Sequence, residues 1–186
     1  ARHFCEAAQP PSSLFAQSLA QMAESDAPQL YTLTEPPKPV VETIDVRAGS
    51  TIVLTGKILS PEQCGESRFT LDLCCGLLVS GDHRDNVFLH FNPRFDLPGG
   101  WFSGDPDREI VINTLINNEW GKEERYNNAF KVGQDFKLEI RVFQQYCKIA
   151  VDDRHLCDFE HRVRMETIKC IMVQGCIEIH SITFPK

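Results

Sequence analysis

From Val40 onward the chain is built of short runs in which apolar and polar residues alternate, most of them closed by Gly, Pro, Asn, Asp or Ser. "STIVLTGKI", "NVFLHFNPRF", "EIVINTLI", "FKLEIRVF" and "CIEIHSITF" are the clearest of ten such runs. A period of two puts alternate side chains on opposite faces of a strand, whereas a helix would need apolar residues at spacings of three and four. Strands also follow one another directly, without the intervening helix that a parallel sheet requires. The pattern predicts an all-β fold, a sandwich or a jelly roll, over residues 40–186. Residues 1–39 read as an N-terminal extension or linker. Ser12 or Ser13 would cap a short helix bearing Phe15, Leu19 and Met22, which "EPPKP" then breaks.

Composition excludes several partners. A formal charge of −7 on 186 residues offers no positive field to nucleic acid or anionic lipid, and there is no long Lys/Arg run. No apolar run approaches the roughly 18 residues that cross a bilayer, and "ARHFCEAAQPP" lacks the apolar segment of a signal peptide. The reading is a soluble chain without membrane insertion. The eight cysteines contain no C-x-x-C pair and no matching His spacing, so reduced thiols used as small hydrophobes are expected, in keeping with synthesis in the cytoplasm. "DPD" at 105–107 and "DD" at 152–153 lack a calcium-ligand ladder and read as solvated turns. No metal and no cofactor is expected.

In "HFNPRF" the polar residues fall on every second position. Leu89, Phe91 and Phe95 would face the core, while His90, Asn92 and Arg94 stand side by side on the other face. In the next strand Ile110, Ile112 and Ile116 make the apolar face, which turns Asn113 toward the same side as that trio. "EWGKEER" breaks simple alternation, because Glu123 and Arg125 share a parity that Trp120 does not. Gly121 is the natural place for a bulge that shifts the parity and brings all three to one surface. The resulting patch suits a neutral, hydroxyl-rich ligand. An aromatic face covers the C–H side of a sugar ring, and planar guanidinium forks, amides and a carboxylate take its hydroxyls.

"HFNPRF", "VIN" and "WGKEER", taken together, resemble the carbohydrate-recognition signature of the galectins. "IDVRAGSTIVLTGKI" and "IEIHSITF" resemble that family's first and last strands. The resemblance implies a jelly-roll sandwich of two antiparallel sheets and metal-independent binding of β-galactosides of the lactose and N-acetyllactosamine type. It implies that His90, Asn92 and Arg94 recognise the axial 4-hydroxyl of galactose. Asn113 and Glu123 would take the 6-hydroxyl, Trp120 would stack on the ring, and Arg125 would help engage the neighbouring sugar. The implied partners are galactoside glycans on glycoproteins or glycolipids. Action outside the cell after non-classical secretion, and pairing of sites through a homo-oligomer or a tandem recognition domain, belong to the same expectation.

The chain departs from the family in its extension before Val40 and in the long connection "FDLPGGWFSGDPDRE", whose Trp101, Phe102 and Arg108 would form an extended subsite or pack as loop. Two other functions stay open at this level. One is a glycosidase using a pair among Glu119, Glu123 and Glu124, although arginines beside Glu123 unfit it as a general acid. The other is a galectin-like protein that acts through protein contacts.

Overall fold

In the computed structural model, which describes residues 29–96 and 107–186, the period-two pattern becomes an inside–outside alternation. The described residues form thirteen strands, all paired antiparallel. These are β1 (Leu30–Thr34), β2 (Val40–Thr43), β3 (Thr51–Ile58), β4 (Phe69–Cys74), β5 (Val87–Pro93), β6 (Glu109–Ile116) and β7 (Glu119–Trp120). After them come β8 (Glu124–Asn127), β9 (Asp135–Val142), β10 (Tyr146–Val151), β11 (Arg154–Glu160), β12 (Cys170–Gly175) and β13 (Ile177–Pro185). One sheet runs β1-β13-β3-β9-β10-β11. The other runs β2-β12-β4-β5-β6, with both β7 and β8 on the outer edge of β6. The all-β sandwich expected from the sequence is therefore the fold found. A one-turn helix α1 (Pro61–Cys64) and a 3-10 turn at Met165–Thr167 are added to the strands foreseen.

The sheets face each other across one continuous apolar core. Its centre is a group of phenylalanines: Phe69 packs edge-on to Phe130 with centroids 5.4 Å apart and stacks on Phe136 at 5.6 Å. Each fully buried side chain of this size contributes roughly 1.5–3 kcal/mol, so the group anchors β4 and β9, one strand from each sheet, on one another. A smaller cluster of Cys74, Val87, Leu115, Cys170 and Met172 lies apart from this core. Met172 pairs with Asp72 and Cys170 with Cys74, and Asp72 pairs with His90. Residues directly opposite share a face, so this cluster sits on the outer face of the seven-stranded sheet, beside His90.

Three expectations are corrected. Leu30–Thr34, assigned to the extension, is an edge strand paired with β13 from Leu30↔Pro185 to Thr34↔Ser181. Its "LYTLT" pattern is too short and too exposed to stand out. The helix expected near Ser12 lies outside the described residues. Ile116, placed on the buried face, is 37% exposed, because β6 runs past the edge of the core into the turn at Asn117 and Asn118.

The third correction concerns the cysteines. Cys64 and Cys176 form a disulfide across 112 residues of sequence, a pairing that spacing could not reveal. Gly175 makes it accessible: its backbone has φ of 105°, and a Cβ there would stand 2.5 Å from the Cα of Phe69. The chain is thereby pressed against the start of β4, and Cys176 meets the end of α1. The five other described cysteines are free, four of them buried. Burial pushes the Cys147 and Cys157 thiols up to about 12, as befits small hydrophobes. A crosslink closing so long a loop should stabilise the domain by about 2–4 kcal/mol. Denaturant titration with and without reductant is expected to show that loss, and equal stability in both conditions would mean the two thiols are not bridged.

Candidate carbohydrate-binding site

The site lies on the outer face of β4, β5 and β6. His90 and Asn92 stand on β5, and Arg94 follows just beyond it, tied to Arg68 by an isolated bridge. None of these side chains is left to choose its own orientation. Nδ1 of His90 lies 2.6 Å from Oδ1 of Asp72, a carboxylate only 2% exposed. Asn92, equally buried, donates from Nδ2 to the Phe69 carbonyl at 2.8 Å and accepts from Nε of Arg94 at 2.9 Å. Arg94 in turn donates through Nη1 to Asp107, and its Nη2 lies 3.7 Å from Glu123.

The parity shift foreseen at Gly121 is present. Trp120 pairs with Leu115 and Glu124 with Ile112, so the three residues 121–123 span the space of Asn113 and Thr114 on β6. One extra residue turns Trp120, Glu123 and Arg125 to the same face as His90. The indole is 45% exposed, and its ring centroid is 4.8 Å from that of His90. Glu123 accepts from Nε of Arg125 at 2.9 Å, with Nη2 at 2.7 Å, and Arg125 also reaches Glu109 at 3.0 Å and Asp107 at 3.3 Å. Two arginines and three carboxylates thus form one network. Partial burial works to raise the Asp107 carboxyl, but the hydrogen bond from Arg94 and the charges of Arg94 and Arg125 hold it below the usual carboxylate range.

Asn113 is 3% exposed. It donates to the Gly121 carbonyl at 2.9 Å and accepts from the Thr114 amide at 2.8 Å and from Nη1 of Arg162 at 2.9 Å. Arg162 comes from the segment after β11 and also donates to the Lys122 carbonyl at 2.7 Å and to Glu124 at 2.6 Å. A Cβ on Gly121 would come within 3.1 Å of that guanidinium and 3.2 Å of the Asn113 carbonyl oxygen, so a larger residue would press both back by a few tenths of an ångström.

These residues enclose an open groove of about 340 Å³. Six of the seven predicted binding residues line it, together with Arg68, Thr70, Val111 and Gly121, and Arg125 stands behind Glu123. Sequence reasoning missed Asp72, Asp107 and Arg162, which hold the groove residues from outside it. Asp107, expected from "DPD" to lie in a solvated turn, instead bridges Arg94 and Arg125 through its carboxylate. The oxygen Oγ1 of Thr70 is buried without a hydrogen-bond partner among the described residues. Arg108 does not line the groove. It donates to the Asp96 carbonyl at 2.9 Å and lines a neighbouring cavity of about 390 Å³ that shares Arg94. Trp101 and Phe102 lie outside the described residues. Of Glu119, Glu123 and Glu124 only Glu123 lines the groove, and Glu124 is turned to Arg162 and Tyr126. Among the described residues no group of three or more His, Cys, Asp or Glu side chains is gathered as a metal site.

Known proteins place this groove in context. Residues 40–184 match the sequence profile of the family described as Galactoside-binding lectin. The Probable galaptin lec-8 of Caenorhabditis elegans is 31% identical over 157 residues, which are 83% of this chain and 76% of that protein. Galectin-3 of Oryctolagus cuniculus is 30% identical over 153 residues, 81% of this chain and 57% of that protein, so the chain spans little more than half of that relative's length. The crystal structure of the Caenorhabditis elegans galectin LEC-6 shares the fold, with a TM-score of 0.67 at 24% identity over 83% of this chain and 96% of the other. The chain accordingly belongs to the galectins, a family of β-galactoside-binding lectins rather than enzymes, and carries one carbohydrate-recognition domain of that family.

Proposed function

We propose that this domain binds β-galactosides of the lactose and N-acetyllactosamine type without metal and without altering them. The observation that carries the reading is the row of His90, Asn92 and Arg94, each locked by a partner behind it and all open to one groove beside an exposed indole. An ionised carboxylate only accepts hydrogen bonds, so Asp72 fixes the proton on Nδ1 of His90 and leaves Nε2 as an acceptor. Arg94 then donates where His90 accepts. A single axial hydroxyl can satisfy both, and an equatorial one would leave these partly buried groups unpaired. The oxygen of Asn113 is already taken by Arg162 and Thr114, so only its amide N–H remains to meet the 6-hydroxyl, with Glu123 as acceptor. Trp120 covers the apolar face of the ring.

The glycans would be those of glycoproteins or glycolipids, met outside the cell. The Cys64–Cys176 bond suits such oxidising surroundings. One open groove binds weakly, and crosslinking would need a second site on another copy or a linked domain.

Calorimetry with lactose tests the reading. Affinity should be the same in chelator and in calcium, since every proposed contact is a side chain, and loss of binding in chelator would exclude the metal-free mechanism. Trp120→Ala should weaken lactose by at least about tenfold, as aromatic contact and buried area are lost together. Arg94→Ala should be as harmful or worse, because a charge-assisted hydrogen bond contributes roughly 1.5–3 kcal/mol and both Asp107 and Glu123 lose a partner. Near-normal affinity in either variant with a native circular dichroism spectrum would move the site to another face. Asp72→Ala should cost about tenfold, whereas Asp72→Asn, whose amide oxygen still accepts from His90, should restore most of it. Equal loss in both Asp72 variants would refute the tautomer argument.

A further inference from the structure

We propose that the cavity lined by Arg108 is a second binding site, separate from the galactoside groove, and that it takes a small apolar molecule carrying a single carboxylate. The inference stands whether or not the groove binds galactosides. The cavity opens at the end of the sandwich, where α1, the residues just beyond β5 and the connection between β8 and β9 meet. Phe95 and Phe130, both members of the core between the sheets, form its floor, and Pro61 and the exposed Val132 extend this apolar surface outward. Its volume of about 390 Å³ exceeds that of the groove and falls within the ~300–1,000 Å³ usual for small-molecule sites. Water over these side chains has no polar atom to bond, so an apolar body displaces it favourably.

The walls are held by the protein itself. In α1 the Ser60 amide donates to Oε1 of Gln63 at 2.9 Å and the Gly65 amide to the Pro61 carbonyl at 2.9 Å, while Cys64 is bonded to Cys176. Asn128 donates from Nδ2 to the Arg94 carbonyl at 2.8 Å and accepts from the Phe130 amide at 3.0 Å, which fastens the connection after β8 to the end of β5.

The charge of the ligand follows from which polar atoms are still unspent. Both carboxylate oxygens of Asp96 are taken, Oδ1 by the Ser67 hydroxyl and Oδ2 by the Asp107 amide at 3.2 Å. Arg94 is committed to Asn92 and Asp107. Arg108 keeps a free edge: its Nε donates to the Asp96 carbonyl at 2.9 Å, and no carboxylate among the described residues meets Nη1 or Nη2. A guanidinium fixed at Nε still presents a pair of N–H groups, the geometry that a carboxylate accepts. Glu62 limits the ligand to one such charge. It lines the same cavity, and hydrogen bonds to its own amide and to the Ser60 side chain hold its carboxyl below the usual carboxylate range, so it stays ionised and repels a second anion.

Titration of the whole chain with phenylacetate, followed by the amide shifts in proton–nitrogen correlation spectra, provides the test, with phenylacetamide and phenylmalonate alongside. The amides of Arg108, Phe130 and Val132 should shift, and those of His90 and Trp120 should not. The neutral amide and the dicarboxylate should each bind about tenfold more weakly than phenylacetate. Arg108→Ala should cost phenylacetate about tenfold and leave phenylacetamide unchanged, while Arg108→Lys should recover part of the loss. Val132→Glu, at an exposed position, should weaken both. Saturating lactose should leave the phenylacetate shifts in place. The inference is overturned by absence of these shifts, by displacement with lactose, by a phenylacetate affinity no higher than that of the amide or of phenylmalonate, or by full affinity in Arg108→Ala. Binding that emerges only in Trp101→Ala or Phe102→Ala would assign the cavity to the chain's own side chains and overturn it equally.

Discussion

One extra residue between Trp120 and Glu124 governs the geometry of the groove. Without it β7 and β8 would run on as a single strand in one register against β6, and Trp120 and Glu123 would point to opposite faces. The bulge is costly in isolation, since it leaves backbone groups of 121–123 outside the ladder. Its carbonyls are met by side chains instead: Asn113 takes that of Gly121 and Arg162 takes that of Lys122, while the Gly121 amide reaches the Thr114 carbonyl at 3.0 Å. Arg162 arrives from the segment that follows the edge strand of the opposite sheet, so closure of the sandwich and shaping of the groove are one event.

The same logic runs through the rest of the site. Asp72, Asn92 and Asn113 are buried polar residues in a sheet whose other face is apolar core, and each would be destabilising if left unpaired. Each is satisfied by protein partners, and Asn92 and Asn113 also line the groove. Arg94 and Arg125 are held between carboxylates in the same way. A ligand would meet donors and acceptors already oriented, with little side-chain entropy left to lose, which is how a shallow open groove can still discriminate between hydroxyl configurations.

The groove residues were legible in the sequence because they obey local rules. His90, Asn92 and Arg94 sit at period two in a run whose alternate positions are apolar, and the failure of alternation around Gly121 announced the bulge. What supports them was not legible, because it comes from afar. Asp72 reaches His90 from 18 residues away, Arg162 reaches Asn113 from 49, and Cys176 reaches Cys64 from 112. Asp72 reads as one more polar position in "FTLDLCC", and Asp107 as part of a turn. Pairings across a sheet are set by register and topology, to which spacing along the chain gives no access. Strand β1 escaped for a different reason: its side chains are mostly exposed, so it carries little of the apolar signal that marks the others.

The division of labour between sheet and loops also says where specificity can change. A substitution at His90, Asn92 or Asn113 disturbs a side chain that is paired with at least one neighbour, so the loss propagates through the row and its members stand or fall together. The connection ahead of β5 is under no such constraint, and in the one behind it the described residues divide. The one ahead of it is fastened by Asn86, Asn118 and Val79, leaving Arg84 free of carboxylate pairing among the described residues. The one behind it closes with Asp107, whose carboxylate is committed to the arginines, while Arg108 is directed to a separate cavity. Arg84 and Arg108, unlike Asp107, can vary in charge without breaking that network. The central sheet therefore holds the geometry of the groove, and the loops are where its ends can change.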